Sequence, residues 1–179
     1  MNLHITIPYS LEKNLGKAYN EAMSAIPDDD WMCFIDYDVM LLTPDAISII
    51  HNYIQLFPQA GLLTCFTNRI HSSSKQLLKG EIDDNDSMTW HLRQAAKQKD
   101  HLYQVTKLYK NISGFLMCIS KNTWRQIPFI DNGECLGVDT DYWRKLRDAG
   151  RPMYRMDGLY VFHTYRLLNG VQDKAHLQP

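Results

Sequence analysis

Short apolar runs alternate with stretches in which apolar residues recur every three or four positions, and this alternation sets the expected fold. Residues 3–7 (LHITI) have strand character, stop at Pro8 and pass into a polar turn through Ser10. Over residues 14–26, Leu15, Ala18, Ala22, Met23 and Ile26 approximate one apolar stripe, which predicts a helix ended by Pro27. Trp31–Ile35 is a continuous apolar run of strand length, the pattern of a strand buried on both faces, and polarity begins abruptly at Asp36. Thr43 and Pro44 have the order of an N-cap and a first helical residue, opening a helix to about Phe57. Residues 61–66 predict the next strand and residues 88–99 a helix. Residues 115–119 predict a strand behind Gly114, with a short helical turn at 122–126. Residues 139–149 read as a helix closed by Gly150, and residues 159–162 as a last strand. The polar stretch at about 68–86, with serines at 72–74 and acids at 83, 84 and 86, predicts a long mobile loop.

Strands alternating with helices define an α/β chain, expected as one domain over residues 1–179 with a mixed, mostly parallel sheet flanked by helices. A net charge of -1 gives no basic excess, so general nucleic-acid binding is not expected. An anionic substrate must then be met by a few local cations or by a metal. Cys33, Cys65, Cys118 and Cys135 form no C-x-x-C pair, and the first three sit in apolar runs. They read as small buried hydrophobes rather than as a disulfide framework or zinc site. The N-terminal residues show no signal peptide, and no run approaches the roughly 20 apolar residues of a membrane span. The expected location is cytoplasmic, without a membrane span.

The segment WMCFIDYDVML carries the most chemical information. Side chains two apart on a strand face the same way, so Asp36 and Asp38 can present both carboxylates to one point. Two adjacent carboxylates repel, and a divalent cation such as Mg²⁺ or Mn²⁺ stabilises the ionised pair. Ligands of open α/β sheets bind just beyond the carboxyl ends of strands, where this pair lies. A solvated turn carrying two acids is the alternative. Further on, Asp139 and Asp141 open the helix of GVDTDYWRKLRDAG, where they also serve as an ordinary acidic first turn. In VFHTYR, His163 can complete a metal shell and Arg166 can pair with phosphate, or both can be plain surface residues. Tyr103, Lys107, Tyr109 and Lys110 form either a basic aromatic patch or a solvated helix face or loop.

Taken in order, these segments resemble the GT-A glycosyltransferases, particularly family 2. The shared motifs are a D-x-D behind an apolar strand (Asp36-Tyr37-Asp38) and an N-x-G-x-A-x-N helix before it (Asn14, Gly16, Ala18, Asn20). They continue with a small-residue strand entry (Ser113-Gly114-Phe115), a G-x-D-x-D segment (Gly137 to Asp141) and a late histidine, His163. The resemblance implies metal-dependent transfer of a sugar from a nucleotide-sugar donor to an acceptor hydroxyl, with inversion. It implies Asp36, Asp38 and His163 as ligands of Mn²⁺ or Mg²⁺. Pro8 and Tyr9 would lie against the nucleobase, and Asn14, Lys17, Asp36, Tyr37, Ser113, Gly114 and Arg166 would complete the donor site. Asp139 would be the general base, with Asp141 as its substitute.

The chain departs from that pattern in two places. The two strands that usually separate the first strand from the asparagine-glycine helix are missing, and Val138 stands where the family carries an acid. Two other readings stay open. Asp36-Tyr37-Asp38-Val39 also fits the first motif of haloacid-dehalogenase-like phosphatases, with Thr64 as a second motif and Lys107 or Lys110 as the lysine. A trimmed GT-A domain can also bind a sugar nucleotide or glycan without turning it over.

Overall fold

The computed structural model describes residues 1–70, 75–78 and 87–164. Seven strands form one sheet: β1 (Leu3–Thr6), β2 (Trp31–Ile35), β3 (Val39–Leu41), β4 (Leu62–Thr67), β5 (Val105–Leu108), β6 (Leu116–Ser120) and β7 (Met153–His163). Their order is β1-β2-β6-β4-β7-β3, and β5 also pairs with β7. The length of β7 explains this branching. Met153 to Met156 pair with β5, whereas Val161 to His163 pair with β3, so two short strands share one edge of one long strand.

The class is α/β, as expected, but the sheet is mixed rather than mostly parallel. Only β1–β2 and β4–β7 run parallel, while β6 lies antiparallel between β2 and β4, and β3 and β5 are antiparallel to β7. A central strand buried on both faces shows the same apolar run in either direction, so its sense was not readable from the pattern. In β2 all five residues are buried. Cys33 and Ile35 pack into one core, while Met32 and Phe34 pack into the other.

Each core has its own helices. On one face, α2 (Ala46–Leu56) buries Ile49, Ile50, Tyr53 and Ile54. On the other, α1 (Leu15–Ala25) contributes Tyr19 and Met23, and α5 (Val138–Asp148) contributes Tyr142 and Leu146. The described residues also form α3 (Met88–Gln98), continued by a 3₁₀ turn at Lys99–His101, and α4 (Lys121–Gln126). Helix α1 begins where its sequence indicates: the Asn14 side chain accepts the Lys17 N–H at 3.1 Å. Its Gly16 packs so closely on the chain that a Cβ there would run into the carbonyl of Ile130. Helix α2 starts later than expected, with Asp45 rather than Thr43 preceding its first residue. The Ala46 N–H donates to the Thr43 carbonyl, which makes residues 43–46 a turn before the helix.

The expected mobile loop at 68–86 is corrected for its described part. Asn68, Arg69, Ile70, Gln76 and Leu77 are buried, and Leu77 forms a parallel bridge with Thr67. Gln76 donates to the Thr64 hydroxyl at 2.8 Å and accepts the Ser113 N–H at 2.8 Å. Polarity here is satisfied internally, and a polar letter alone does not distinguish that from solvation. The rest of the stretch lies outside the described residues. The segment around Lys107 is a strand, not a helix face or loop, and Lys107 Nζ sits 5.4 Å from the Tyr109 ring centre. Among the described residues no helix is long and apolar enough to cross a membrane.

Candidate metal centre and adjoining cleft

Strand β2 ends in a tight turn that carries both acids of the D-x-D. The Asp36 N–H donates to Phe115, and the Val39 N–H donates back to the Asp36 carbonyl at 3.1 Å. Strand β3 then pairs Val39 with His163 at the end of β7. This register brings Asp38 Oδ1 to 3.1 Å from His163 Nε2. The Thr164 N–H holds the Asp38 carbonyl at 3.0 Å. Ligand atoms of Asp36, Asp38 and His163 all lie within 4.8 Å of one another, the only such group among the described residues.

The protonation of His163 follows from its partners. Nδ1 lies 2.8 Å from the Arg69 carbonyl, which can only accept, so Nδ1 carries the proton. Burial is the largest influence on the ring and lowers its proton affinity; Asp38 opposes this, and the Arg69 charge acts with burial. A neutral ring of this tautomer turns the Nε2 lone pair toward a carboxylate oxygen. A divalent cation between them removes that conflict, and a histidine whose other nitrogen donates to a carbonyl is the usual metal-binding arrangement. Two carboxylates and one imidazole fit Mn²⁺ or Mg²⁺ in donor type, with room left for substrate oxygens.

Asp36 supplies an electrostatic argument of its own. Burial, then the negative charges of Asp38 and Asp139, push its carboxyl up to about 6. Protons therefore compete with a cation at this site. Calorimetric Mn²⁺ titrations at several pH values are expected to show constant affinity well above pH 6 and a loss approaching about tenfold per pH unit below it. The metal-free protein has the opposite trend. The folded pKa exceeds the unfolded value of about 4, so the protonated form stabilises the fold at low pH and that contribution is lost as pH rises through about 6. Mn²⁺ affinity that stays flat down to pH 5 would refute the assignment of Asp36.

Beside the acids opens a cleft of about 640 Å³, whose walls include Tyr19, Asp36, Ser113, Gly114, Asp139 and Arg144. Asp139 Oδ2 accepts the Gly114 N–H at 3.0 Å, and its Oδ1 accepts the Thr140 N–H at 2.7 Å. The Gly114 backbone comes so near that a Cβ there would lie 3.0 Å from the Asp139 Cβ. Tyr19 is wedged edge-on against Phe34 and stacked on Phe129. Burial and the charges of Asp36 and Asp139 raise its pKa, which keeps its hydroxyl a neutral donor.

The fold thus brings Asp36, Ser113, Gly114 and Asp139 to one cleft, and Asp36, Asp38 and His163 to one cluster. Other expected site residues lie elsewhere. Asp141 is absent from the cleft wall and pairs with Lys145 at 2.7 Å across one helical turn. Asn14 is occupied as the cap of α1 and by Asp131, and Lys17 pairs with Glu12 at 3.0 Å. Pro8 and Tyr9 do not line the cleft, and Tyr37 projects from the turn with 85% of its surface exposed. Arg166 lies outside the described residues. Sequence reasoning missed Tyr19, Arg69 and Arg144. Arg144 was findable, since it follows Thr140 by four residues on the face of α5 that meets the cleft. Arg69 gave no sequence signal. No protein-family model matches the chain, and no curated protein sequence matches it either.

Proposed function

We propose that this chain is a metal-dependent glycosyltransferase of the GT-A kind that moves a sugar from a nucleotide-diphosphate donor to an acceptor hydroxyl, with inversion. One observation carries the reading: His163 Nε2, left without its proton by the Arg69 carbonyl, meets Asp38 at 3.1 Å beside Asp36, on the edge of a cleft that also holds Asp139. Asp36, Asp38 and His163 would hold Mn²⁺ or Mg²⁺, which when bound would supply Lewis acidity toward the departing diphosphate. Asp139 takes the proton of the attacking hydroxyl, with its carboxylate aimed by the Gly114 and Thr140 N–H groups. Ser113 and Gly114 form the wall against the sugar, and Tyr19, whose hydroxyl feels the charges of both Asp36 and Asp139, lines the same cleft as a neutral donor.

The phosphatase alternative has less support. Thr64, its required second motif, is fully buried in β4, and its hydroxyl is held by Gln76. A domain that binds a donor without turning it over uses the same cluster and is separated by assay.

The test is calorimetry with nucleoside diphosphates and their sugars, with and without Mn²⁺, followed by product analysis. Binding of one base that requires Mn²⁺ is expected. Failure of every nucleotide to bind in the presence of Mn²⁺ would remove the donor site, and binding without turnover would favour the non-catalytic module.

A further inference from the structure

Arg69 lies two residues beyond the end of β4, and its backbone is fastened to the candidate metal centre. Its carbonyl accepts the His163 Nδ1–H, and the neighbouring Asn68 Oδ1 accepts the His163 backbone N–H at 2.8 Å. Arg69 is only 4% exposed, yet among the described residues Nε has no hydrogen-bond partner and no carboxylate pairs with the guanidinium. The fold is able to satisfy a buried arginine. Arg155 donates to Asp157 at 2.8 Å, to the Thr106 hydroxyl and to the Lys75 carbonyl. Among the described residues no carboxylate pairs with Arg69, and its Nε is left without a partner.

An arginine cannot shed its proton, so a buried guanidinium without a counter-charge is held at a cost. Asp36 and Asp38 do not pair with it, and once the site is loaded a divalent ion balances both of them. The arginine's charge is then left over, and it calls for an anion at the same place. The planar fork of a guanidinium matches phosphate oxygens, which are also good ligands for Mn²⁺ and Mg²⁺.

We propose that Arg69 is the oxyanion anchor of this centre, holding a phosphate oxygen of the substrate beside the ion bound by Asp36, Asp38 and His163. This rests on the metal-dependent reading above and adds to it the cation that Lys17, engaged by Glu12, does not supply. The phosphate belongs to a nucleoside diphosphate or to inorganic pyrophosphate, and the experiment separates these sources.

Arg69→Met and Arg69→Lys are compared with wild type in three measurements: metal-free thermal unfolding, Mg²⁺ or Mn²⁺ binding, and binding of pyrophosphate and of UDP, GDP and ADP with Mg²⁺ present. Arg69→Met is expected to unfold at the wild-type temperature or higher, since it removes a buried charge that no described carboxylate pairs with. It is expected to keep metal binding and to weaken phosphate binding roughly 10- to 100-fold. Equal loss for pyrophosphate and a nucleoside diphosphate assigns the contact to phosphate alone, whereas loss confined to one nucleotide assigns it to that donor. Arg69→Lys keeps the charge without the fork and is expected to lose about threefold or more, which decides the matter if Arg69→Met does not fold.

Lowered stability of the metal-free Arg69→Met protein with unchanged phosphate affinity would overturn the proposal and make Arg69 a structural residue. So would full phosphate affinity in Arg69→Lys where Arg69→Met does not fold. Pyrophosphate bound without any divalent ion and lost in Arg69→Met would keep Arg69 and remove the metal. Intact metal binding with phosphate affinity indifferent to residue 69 would remove Arg69 and keep the metal.

Discussion

Asp38→Asn is expected to lower Mn²⁺ affinity by at least about 100-fold, because it removes a charged ligand where loss of a mere supporting partner already costs about 10–100-fold. The same substitution is expected to leave the metal-free fold as stable as wild type, or more so. Asp38 Oδ1 faces the Nε2 lone pair of His163 at 3.1 Å, and an amide N–H in that place would donate where the carboxylate cannot. Removing the charge also relieves Asp36, whose carboxyl is pushed up to about 6 partly by Asp38, and returns it toward the ordinary carboxylate range. Calorimetry with Mn²⁺ and a metal-free melting curve read the two halves of this expectation. Undiminished Mn²⁺ binding would exclude Asp38 as a ligand, while lost binding with a collapsed melting temperature would mean that the substitution had broken the turn.

The second large effect concerns Asp139. If it is the general base, Asp139→Asn should slow sugar transfer by about 10²–10⁴-fold while leaving metal and donor binding near wild type. The position also has a structural duty that must be measured alongside. Its two oxygens accept the Gly114 and Thr140 N–H groups, so an amide turns its own N–H₂ against one of them. That mismatch costs about 1–3 kcal/mol, or roughly 2–4 °C of melting temperature per kcal/mol in a domain of this size. A rate loss far beyond what that destabilisation produces identifies the base. Transfer that persists in a folded Asp139→Asn protein would reduce Asp139 to a clamp between α5 and the entry to β6, and would leave proton removal to solvent.

Much of the architecture was legible because its signals are local. The apolar run Trp31–Ile35 is β2 to the residue, Asn14 caps α1, and residues 139–149 differ from α5 by one residue at each end. The D-x-D was legible for the same reason, since strand geometry alone places Asp36 and Asp38 two apart at the end of a buried run. Two short strands beside β7 were not. Val39–Leu41 and Val105–Leu108 are too short to show a period, and they are strands only because the long β7 offers each of them an edge.

What the sequence determined by itself was therefore the α/β alternation, the two-faced burial of β2 and the placing of two acids at its end. All of these depend on neighbours within a few residues. The tertiary structure alone decided the antiparallel sense of β6, and it decided the meeting of Asp38 with a histidine 125 residues away. It also set the tautomer of that histidine, through the Arg69 carbonyl, and it buried Arg69 with no carboxylate paired to it among the described residues. Strand direction and side-chain partners are chosen by long-range pairing of surfaces, and residues at one end of a pair carry no local mark of the residues at the other.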